Sequence, residues 1–315
     1  MKIENEIREK EFSYSMYPER FEKKIIGAFG KDGKEFLYSL ETTINEFLHK
    51  WNLISEGPVD NLSYNYVLKV KDQDGNPAIL KLGVPNYDFK NEIRTLQTYN
   101  GKGCVKLLDA DTEKGVMLLE HLLPGTMLNI VEEQEAIKYF AKVWMEIRRP
   151  IKGNSDHPFI KNWLSAFDRY LETYSIEEGP ISNDYIYLAK TFYSEISDSS
   201  KGNELLHGDL HHENILFSKA YGWIAIDPKG VIGDTYFDLI SFLTNQLFDK
   251  PNPQQFFKDR VFSLCDEMNL DKERLLKAGF TMSTLYACWG IEDNDPEWGR
   301  SFTCAQWFNE LRGII

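Results

Sequence analysis

A chain of 315 residues with 42% hydrophobic and 14% aromatic residues buries a sizeable core; disorder is excluded and two units are expected at this length. A formal net charge of -13 argues against nucleic acid as a partner, since phosphate backbones call for a basic surface, but suits a cationic ligand steered by an acidic cleft. No apolar run approaches the roughly 20 residues of a membrane span, Met1–Phe12 has no apolar signal region, and Cys104, Cys265, Cys288 and Cys304 form no C-x-x-C pair, so a cytoplasmic protein with reduced, buried thiols and no membrane partner is predicted.

Residues 1 to about 50 show helical spacing at Phe21, Ile25, Ile26 and Phe29, and again at Phe36, Leu37, Leu40, Ile44, Phe47 and Leu48. The Gly30–Gly33 break predicts two amphipathic helices joined by a turn, capping the first unit or flanking its cleft. From Leu53 the period changes. Leu53-Ile54, Tyr64–Val70, Pro77–Leu82 and Val116–Glu120 read as strands, Asp74-Gly75-Asn76-Pro77 as a hairpin turn, and Asp88–Tyr99 as a helix carrying Ile93, Leu96 and Tyr99. Pro124-Gly125 marks the expected boundary between units 1–123 and 124–315. Beyond Glu132 helices are predicted at Ala136–Arg148, Trp163–Tyr174, Ile186–Ile196, Asp238–Leu247, Gln255–Met268, Lys272–Cys288 and Phe302–Leu311. The predicted class is α+β: a small antiparallel sheet with one inserted helix, then a larger helical unit.

Two stretches carry the chemistry: Leu205-Leu206-His207-Gly208-Asp209-Leu210-His211-His212-Glu213-Asn214-Ile215-Leu216-Phe217 and Trp223-Ile224-Ala225-Ile226-Asp227-Pro228-Lys229-Gly230. Asp209 and Asn214 have the spacing of the loop H-R-D-x-x-x-x-N, in which the Asp orients an acceptor hydroxyl and takes its proton while the Asn holds a metal. Asp227 ends an apolar strand, the place of the DFG acid that holds Mg2+ against phosphate oxygens. A helix-capping Asp209 and a turn Asn214 are the plainer reading, but Asp227 arrives independently. A two-His-one-carboxylate iron site needs a further His, and none follows His212; H-E-x-x-H fails at Leu216. His207 is therefore expected to hydrogen-bond the loop, and His211 and His212 to face either the acceptor or solvent.

Lys81, in Ala78-Ile79-Leu80-Lys81-Leu82, resembles the V-A-I-K lysine that reaches the α/β-phosphates, with Glu92 as its partner. A strand lysine alone is usually a solvated edge residue; the order of strand, lysine, helix, strand and hinge favours the functional reading, with Lys69 as the fallback. No Walker A or G-x-G-x-x-G motif occurs. The phosphate-covering loop falls to Ser55–Asn65, with Ser63 and Asn65 as contacts, although an ordinary connecting loop explains it as well. The hinge Leu119–Leu122 offers backbone groups of Glu120 and Leu122 to adenine.

These residues, together with Val231-Ile232-Gly233-Asp234 and Asp238, closely resemble the aminoglycoside phosphotransferase-like kinases, and Ile226-Asp227-Pro228-Lys229-Gly230 resembles the streptomycin 6-kinase and hydroxyurea phosphotransferase branch. The resemblance is specific over roughly residues 205 to 243 and follows in order from about 53 to 130. It implies a protein-kinase-like two-lobed fold and transfer from ATP, with Mg2+, to a small-molecule hydroxyl. It implies Asp209 as base, Asn214 and Asp227 as metal ligands, Lys81 as the phosphate lysine, and Asp238 as a brace for the loop. Lys229 is a family-typical position taken here as a substrate candidate. Glu213 and the sparse phosphate loop depart from the pattern.

Asp238 follows Asp227 too closely for a peptide-docking activation segment, and no A-P-E occurs, so a protein kinase is not expected. His212, Asp293, Asp295 and Glu297, beside Glu292, are candidate contacts for a cationic sugar, and Trp289 and Trp298 for ring stacking. An ordinary acidic loop with two core tryptophans is the plainer alternative. The expected function is phosphorylation of an aminoglycoside such as streptomycin, conferring antibiotic resistance. A kinase for another small sugar or amino alcohol and a nucleotide-binding pseudoenzyme are the alternatives; the intact Asp209, Asn214 and Asp227 argue against the last.

Overall fold

The computed structural model describes residues 17–151, 153, 155–174 and 179–313. Two units divide it: the described residues of Met1–Ile93 with Leu107–His121, and of Arg94–Lys106 with Leu122–Ile315.

The first unit is built on strands β1 (Ile54–Pro58), β2 (Tyr66–Lys71), β3 (Pro77–Leu82), β4 (Leu107–Asp111) and β5 (Val116–Glu120), in the antiparallel order β1-β2-β3-β5-β4. Alternation drives it: Tyr66, Leu68 and Val70 are buried while Lys69 is exposed, and Leu68 pairs with Leu80, which pairs with Leu118. Asp72 shapes the β2–β3 hairpin by accepting the N–H groups of Asp74 and Asn76 at 2.9 and 2.8 Å, with Gly75 at φ +85°. The edge strand β4 was not expected. Its bulge between Leu107 and Asp109 and its exposed middle erase the period-two signal.

Helix α1 (Glu19–Lys50) breaks at Gly30, whose φ is 54°. A Cβ on Gly33 would lie 2.6 Å from the Ile25 carbonyl oxygen. In a straight helix eight residues rise about 12 Å, so the chain turns back on itself at Gly30, between the two predicted helices. Phe21, Ile25, Phe36, Leu40, Ile44 and Phe47 pack with the buried residues of β2 and β3 in one core. Helix α2 (Tyr87–Tyr99) starts where the Asn86 side chain accepts the N–H of Phe89 at 2.9 Å.

In the second unit, β6 (Pro124–Met127) precedes α3 (Glu133–Ile147), β7 (Arg149–Pro150), α4 (Ile160–Trp163), α5 (Ser165–Thr173) and α6 (Asn183–Asp198). Then come β8 (Glu204–Leu206), β9 (Ile215–Ser218), β10 (Gly222–Ala225), β11 (Val231–Gly233), α7 (Ile240–Thr244), α8 (Pro253–Met268), α9 (Lys272–Glu292) and α10 (Trp298–Arg312). Helix α9 is buried along most of its length and packs on α10, α6 and α5, making it the axis of this unit. The helix expected from Asp238 instead opens as a 3-10 turn, Thr235–Leu239. Two small antiparallel sheets, β10-β9-β6 and β11-β8-β7, hold the motif segments: β8 leads into His207, β9 leaves Asn214, β10 ends just before Asp227, and β11 follows Gly230. All four cysteines are buried free thiols.

Candidate active site

His207 organises the loop. It is fully buried; its Nε2 donates to the Ile226 carbonyl at 2.8 Å, and its Nδ1 accepts the Asp209 N–H at 3.2 Å. Its own carbonyl accepts the N–H groups of Lys229 and Gly230 at 2.8 and 3.1 Å. Burial drives its pKa down to about 3, so the ring is neutral. Asp238, also buried, receives the N–H of Gly208 at 2.7 Å and of His207 at 3.3 Å. Burial pushes its carboxyl up to about 7, against the pull of those two N–H groups.

Asp209 follows Gly208, whose φ of +81° and contact with Trp163 leave no room for a side chain. The Asp209 side chain is 36% exposed, yet its surroundings are crowded enough to raise its pKa, opposed by His211 and Lys229 and by a hydrogen bond with Ser241. The Tyr286 hydroxyl lies 3.1 Å from Ser241 Oγ. Asn214 donates through Nδ2 to the Asp209 carbonyl at 2.8 Å, and its own carbonyl accepts the Ile226 N–H at 2.9 Å. The next residue, Asp227, sits at φ +56°, a left-handed conformation that redirects the chain out of β10. Asp209, Asn214 and the Asp227 turn thus form one hydrogen-bonded unit.

Beside it, His211 Nδ1 lies 2.8 Å from Glu213 Oε2, which Asn245 also reaches at 2.5 Å, while Gln246 bonds the other carboxylate oxygen. Burial works to raise the Glu213 pKa, but the hydrogen bonds from His211 and Asn245 outweigh it and hold the group at about 2. Burial likewise works to lower His211, but Glu213 and Asp209 outweigh it and its pKa is raised. His212 faces the other way: it is buried, stacked on Phe242 with centroids 4.3 Å apart, and among the described residues both ring nitrogens lack a hydrogen-bond partner. Its burial drives the pKa to about 3. The His212 ring is thus packed in the core of this unit rather than turned to solvent.

In the first unit, Lys81 on β3 and Glu92 on α2 form an ion pair at 2.6 Å, their side chains only 4% and 12% exposed. Ser63 accepts from Lys24 at 2.9 Å, and Asn65 Oδ1 fills the space a side chain on Gly83 would need. Glu120 ends β5 opposite Ala78, and Leu122 is buried in the second unit. The C-terminal acids lie on an exposed turn after α9: Asp295 caps the Glu297 N–H at 2.9 Å, Glu297 pairs with Arg300 at 2.7 Å, and Asp293 terminates the helix. Glu292 forms two 2.9 Å bonds with Arg169. Trp289 instead packs edge-on to Trp163 at 5.4 Å, while Trp298 tilts against Phe302 at 6.3 Å.

The sequence reading missed Trp163, Ser241, Tyr286, Asn245 and Gln246. Only Ser241 carried a local signal, standing three positions after Asp238. Among the described residues no group of three or more His, Cys, Asp or Glu side chains is placed to hold a metal.

A family model described as aminoglycoside/hydroxyurea antibiotic resistance kinase matches residues 50–294. Streptomycin 6-kinase of Streptomyces glaucescens is 30% identical over 288 residues, covering 88% of this chain and 91% of that protein. Hydroxyurea phosphotransferase of Kitasatospora aureofaciens is 31% identical over 226 residues, covering 69% of this chain and 64% of that protein. The solved choline kinase from Streptococcus pneumoniae aligns with a TM-score of 0.63 at 17% identity, over 86% of this chain and 99% of that one. The fold is accordingly the protein-kinase-like α+β fold.

Proposed function

The chain belongs to the aminoglycoside/hydroxyurea antibiotic resistance kinase family and is a small-molecule kinase, and on that premise we propose that it transfers the γ-phosphoryl group of ATP, with Mg2+, to a hydroxyl of an aminoglycoside such as streptomycin. One observation carries the reading: Asp209, Asn214 and the Asp227 turn are locked together through His207 and Ile226.

The residues present fit the metal. Asn214 and Asp227 offer the hard oxygen donors Mg2+ prefers, and Mg2+ commonly takes one or two carboxylates with phosphate oxygens and water, so no cluster of three acids is needed. Bound Mg2+ would neutralise phosphate charge. Asp209 orients the acceptor hydroxyl and receives its proton; a raised pKa improves a carboxylate as a base. Lys81, held by Glu92, takes the α/β-phosphates, with Ser63 and Asn65 near the phosphates and the backbone of Glu120 and Leu122 at adenine. The unit of residues 1–123 is thus assigned to the nucleotide and that of 124–315 to catalysis and the acceptor. Asp238 holds the N–H groups preceding Asp209, and Lys229, close enough to lower the Asp209 pKa, is assigned to the acceptor side. Asp293, Asp295 and Glu297 remain candidates for a cationic ring. The same proposal includes a cytoplasmic location, in keeping with four buried free thiols and, among the described residues, no helix long and apolar enough to cross a membrane.

A kinase for another small sugar or amino alcohol is the second reading. It is favoured by the pairing of Glu292 with Arg169, which leaves one acid fewer for a polycationic ring. Mg2+-dependent ATP turnover across aminoglycosides and small alcohols separates the two. Streptomycin turnover that drops about 10²- to 10⁴-fold in Asp209→Asn supports the first. No turnover with any acceptor, together with unchanged nucleotide binding in Asp227→Ala, would sink the proposed ATP- and Mg2+-dependent transfer.

A further inference from the structure

We propose that Glu213 is a positioning residue: its carboxylate, anchored by Asn245 and Gln246, holds His211 in the Nδ1–H tautomer, and the bare Nε2 of His211 then fixes the Asn214 amide with its nitrogen inward and its oxygen outward.

The hydrogen-bond order follows from Asn214. Its side chain meets the Asp209 carbonyl at 2.8 Å; a carbonyl only accepts, so the amide atom there is nitrogen. The second hydrogen of that nitrogen is directed to His211 Nε2, 3.2 Å away, which must present a lone pair. The ring proton is then on Nδ1, 2.8 Å from a carboxylate that only accepts. Donors and acceptors match at both ends. The Glu213 N–H also approaches Nδ1, at 3.3 Å, but the shorter contact to a charged acceptor decides the tautomer. Asp209 Oδ1, 3.7 Å from Nε2, is beyond hydrogen-bond range.

The anchor is itself fixed. Asn245, Gln246 and His211 are all donors, and an ionised carboxylate accepts from all three. Gln246 sits at φ 53°, a left-handed conformation that a side chain resists. Arg260, buried and paired with Glu133 at 2.5 Å, donates to the carbonyls of Phe242 and Asn245 at 3.1 and 2.5 Å and holds this segment. Resting on the reading of Asn214 as a metal ligand, the outward Oδ1 is the ligating atom, and Glu213 acts on it through His211.

Imidazole 15N spectra of the full chain without nucleotide test this at pH 8, with His211 assigned from the spectrum of His211→Gln. A protonated Nδ1 and bare Nε2 support the proposal; a bare Nδ1, or two protonated nitrogens, overturns it. Glu213→Leu should lose the single tautomer and bind Mn2+, measured by electron paramagnetic resonance with ADP present, about 10- to 100-fold more weakly. Glu213→Gln, with its oxygen towards His211 and its nitrogen towards a turned Gln246 amide, should keep the tautomer and most of that affinity. Glu213→Leu with an unchanged tautomer overturns the proposal, and if that variant does not fold the wild-type and Glu213→Gln spectra still decide. Mn2+ that binds wild type and Asn214→Ala equally strikes the metal reading, while the tautomer result stands apart from it.

Discussion

Replacing Asp238 should loosen the catalytic loop more than it disturbs the core around it. The carboxylate accepts two backbone N–H groups, from Gly208 at 2.7 Å and His207 at 3.3 Å, and is 4% exposed. In Asp238→Asn one oxygen remains to accept, and the amide NH2 faces the second N–H. One buried donor then goes unsatisfied, a loss of about 1–3 kcal/mol; Asp238→Ala abandons both donors, for about 2–6 kcal/mol. Because the N–H groups immediately precede Asp209, the shift also reaches the proposed base, and a displacement near 1 Å lowers the rate by about 10²-fold. Urea denaturation and steady-state turnover of the two variants read both effects, with kcat falling more than the acceptor KM rises. The pH dependence is a further check. A carboxyl raised to about 7 in the fold and near 3.8 unfolded contributes stability below the lower value that is lost as pH rises through the upper one. The stability of wild type relative to Asp238→Asn should therefore fall between pH 4 and 7, within about half a pH unit of either limit. An Asn variant matching wild type in urea midpoint and kcat would refute the bracing argument.

Glu92→Gln removes the carboxylate charge 2.6 Å from the Lys81 ammonium, and loss of one member of a nearly buried pair should destabilise the first unit by roughly 3–5 kcal/mol and raise the ATP KM; an unchanged urea midpoint counts against it. His212→Phe keeps the stack on Phe242 and removes two unpartnered nitrogens. Since His212 titrates near 3 folded and 6.5 unfolded, wild type loses stability as pH falls through that window, and the variant should show a shallower acid decline in thermal melting. Gly230→Ala places a methyl on the Thr95 hydroxyl at a φ of +68°, so the melting temperature should drop along with turnover; wild-type behaviour would mean the Asp227 turn adapts freely.

Fold legibility followed the range of the signal. Strand alternation in β2 and the turn at Gly30 are set by neighbouring residues, and both are legible in the sequence. The bulged edge β4 was hidden because a one-residue insertion flips the inward face and leaves no continuous period. The spacing of Asp209 and Asn214 is readable because a single loop closes the Asn214-to-Asp209 bond across five residues. The Asn245 and Gln246 contacts to Glu213 span 32 and 33 residues, and no local pattern announces them.

His211 and His212 show why identity without direction misleads. They are adjacent, identical and equally polar, so the sequence offers no reason to treat them differently. His212 opens a 3-10 turn that Asn214 closes, whereas His211 is the cap residue just before it, in extended conformation at φ -138°. The backbone changes from extended to helical between the two rings. Phe242, itself stacked on Phe140 at 4.0 Å, offers an aromatic slot to one ring, and Glu213 offers a carboxylate to the other. The slot strips His212 of water and keeps it neutral, whereas the carboxylate orients His211 towards Asn214. The division of labour between the two histidines is thus decided by the turn and by partners distant in sequence, and it puts His211 beside Asp209.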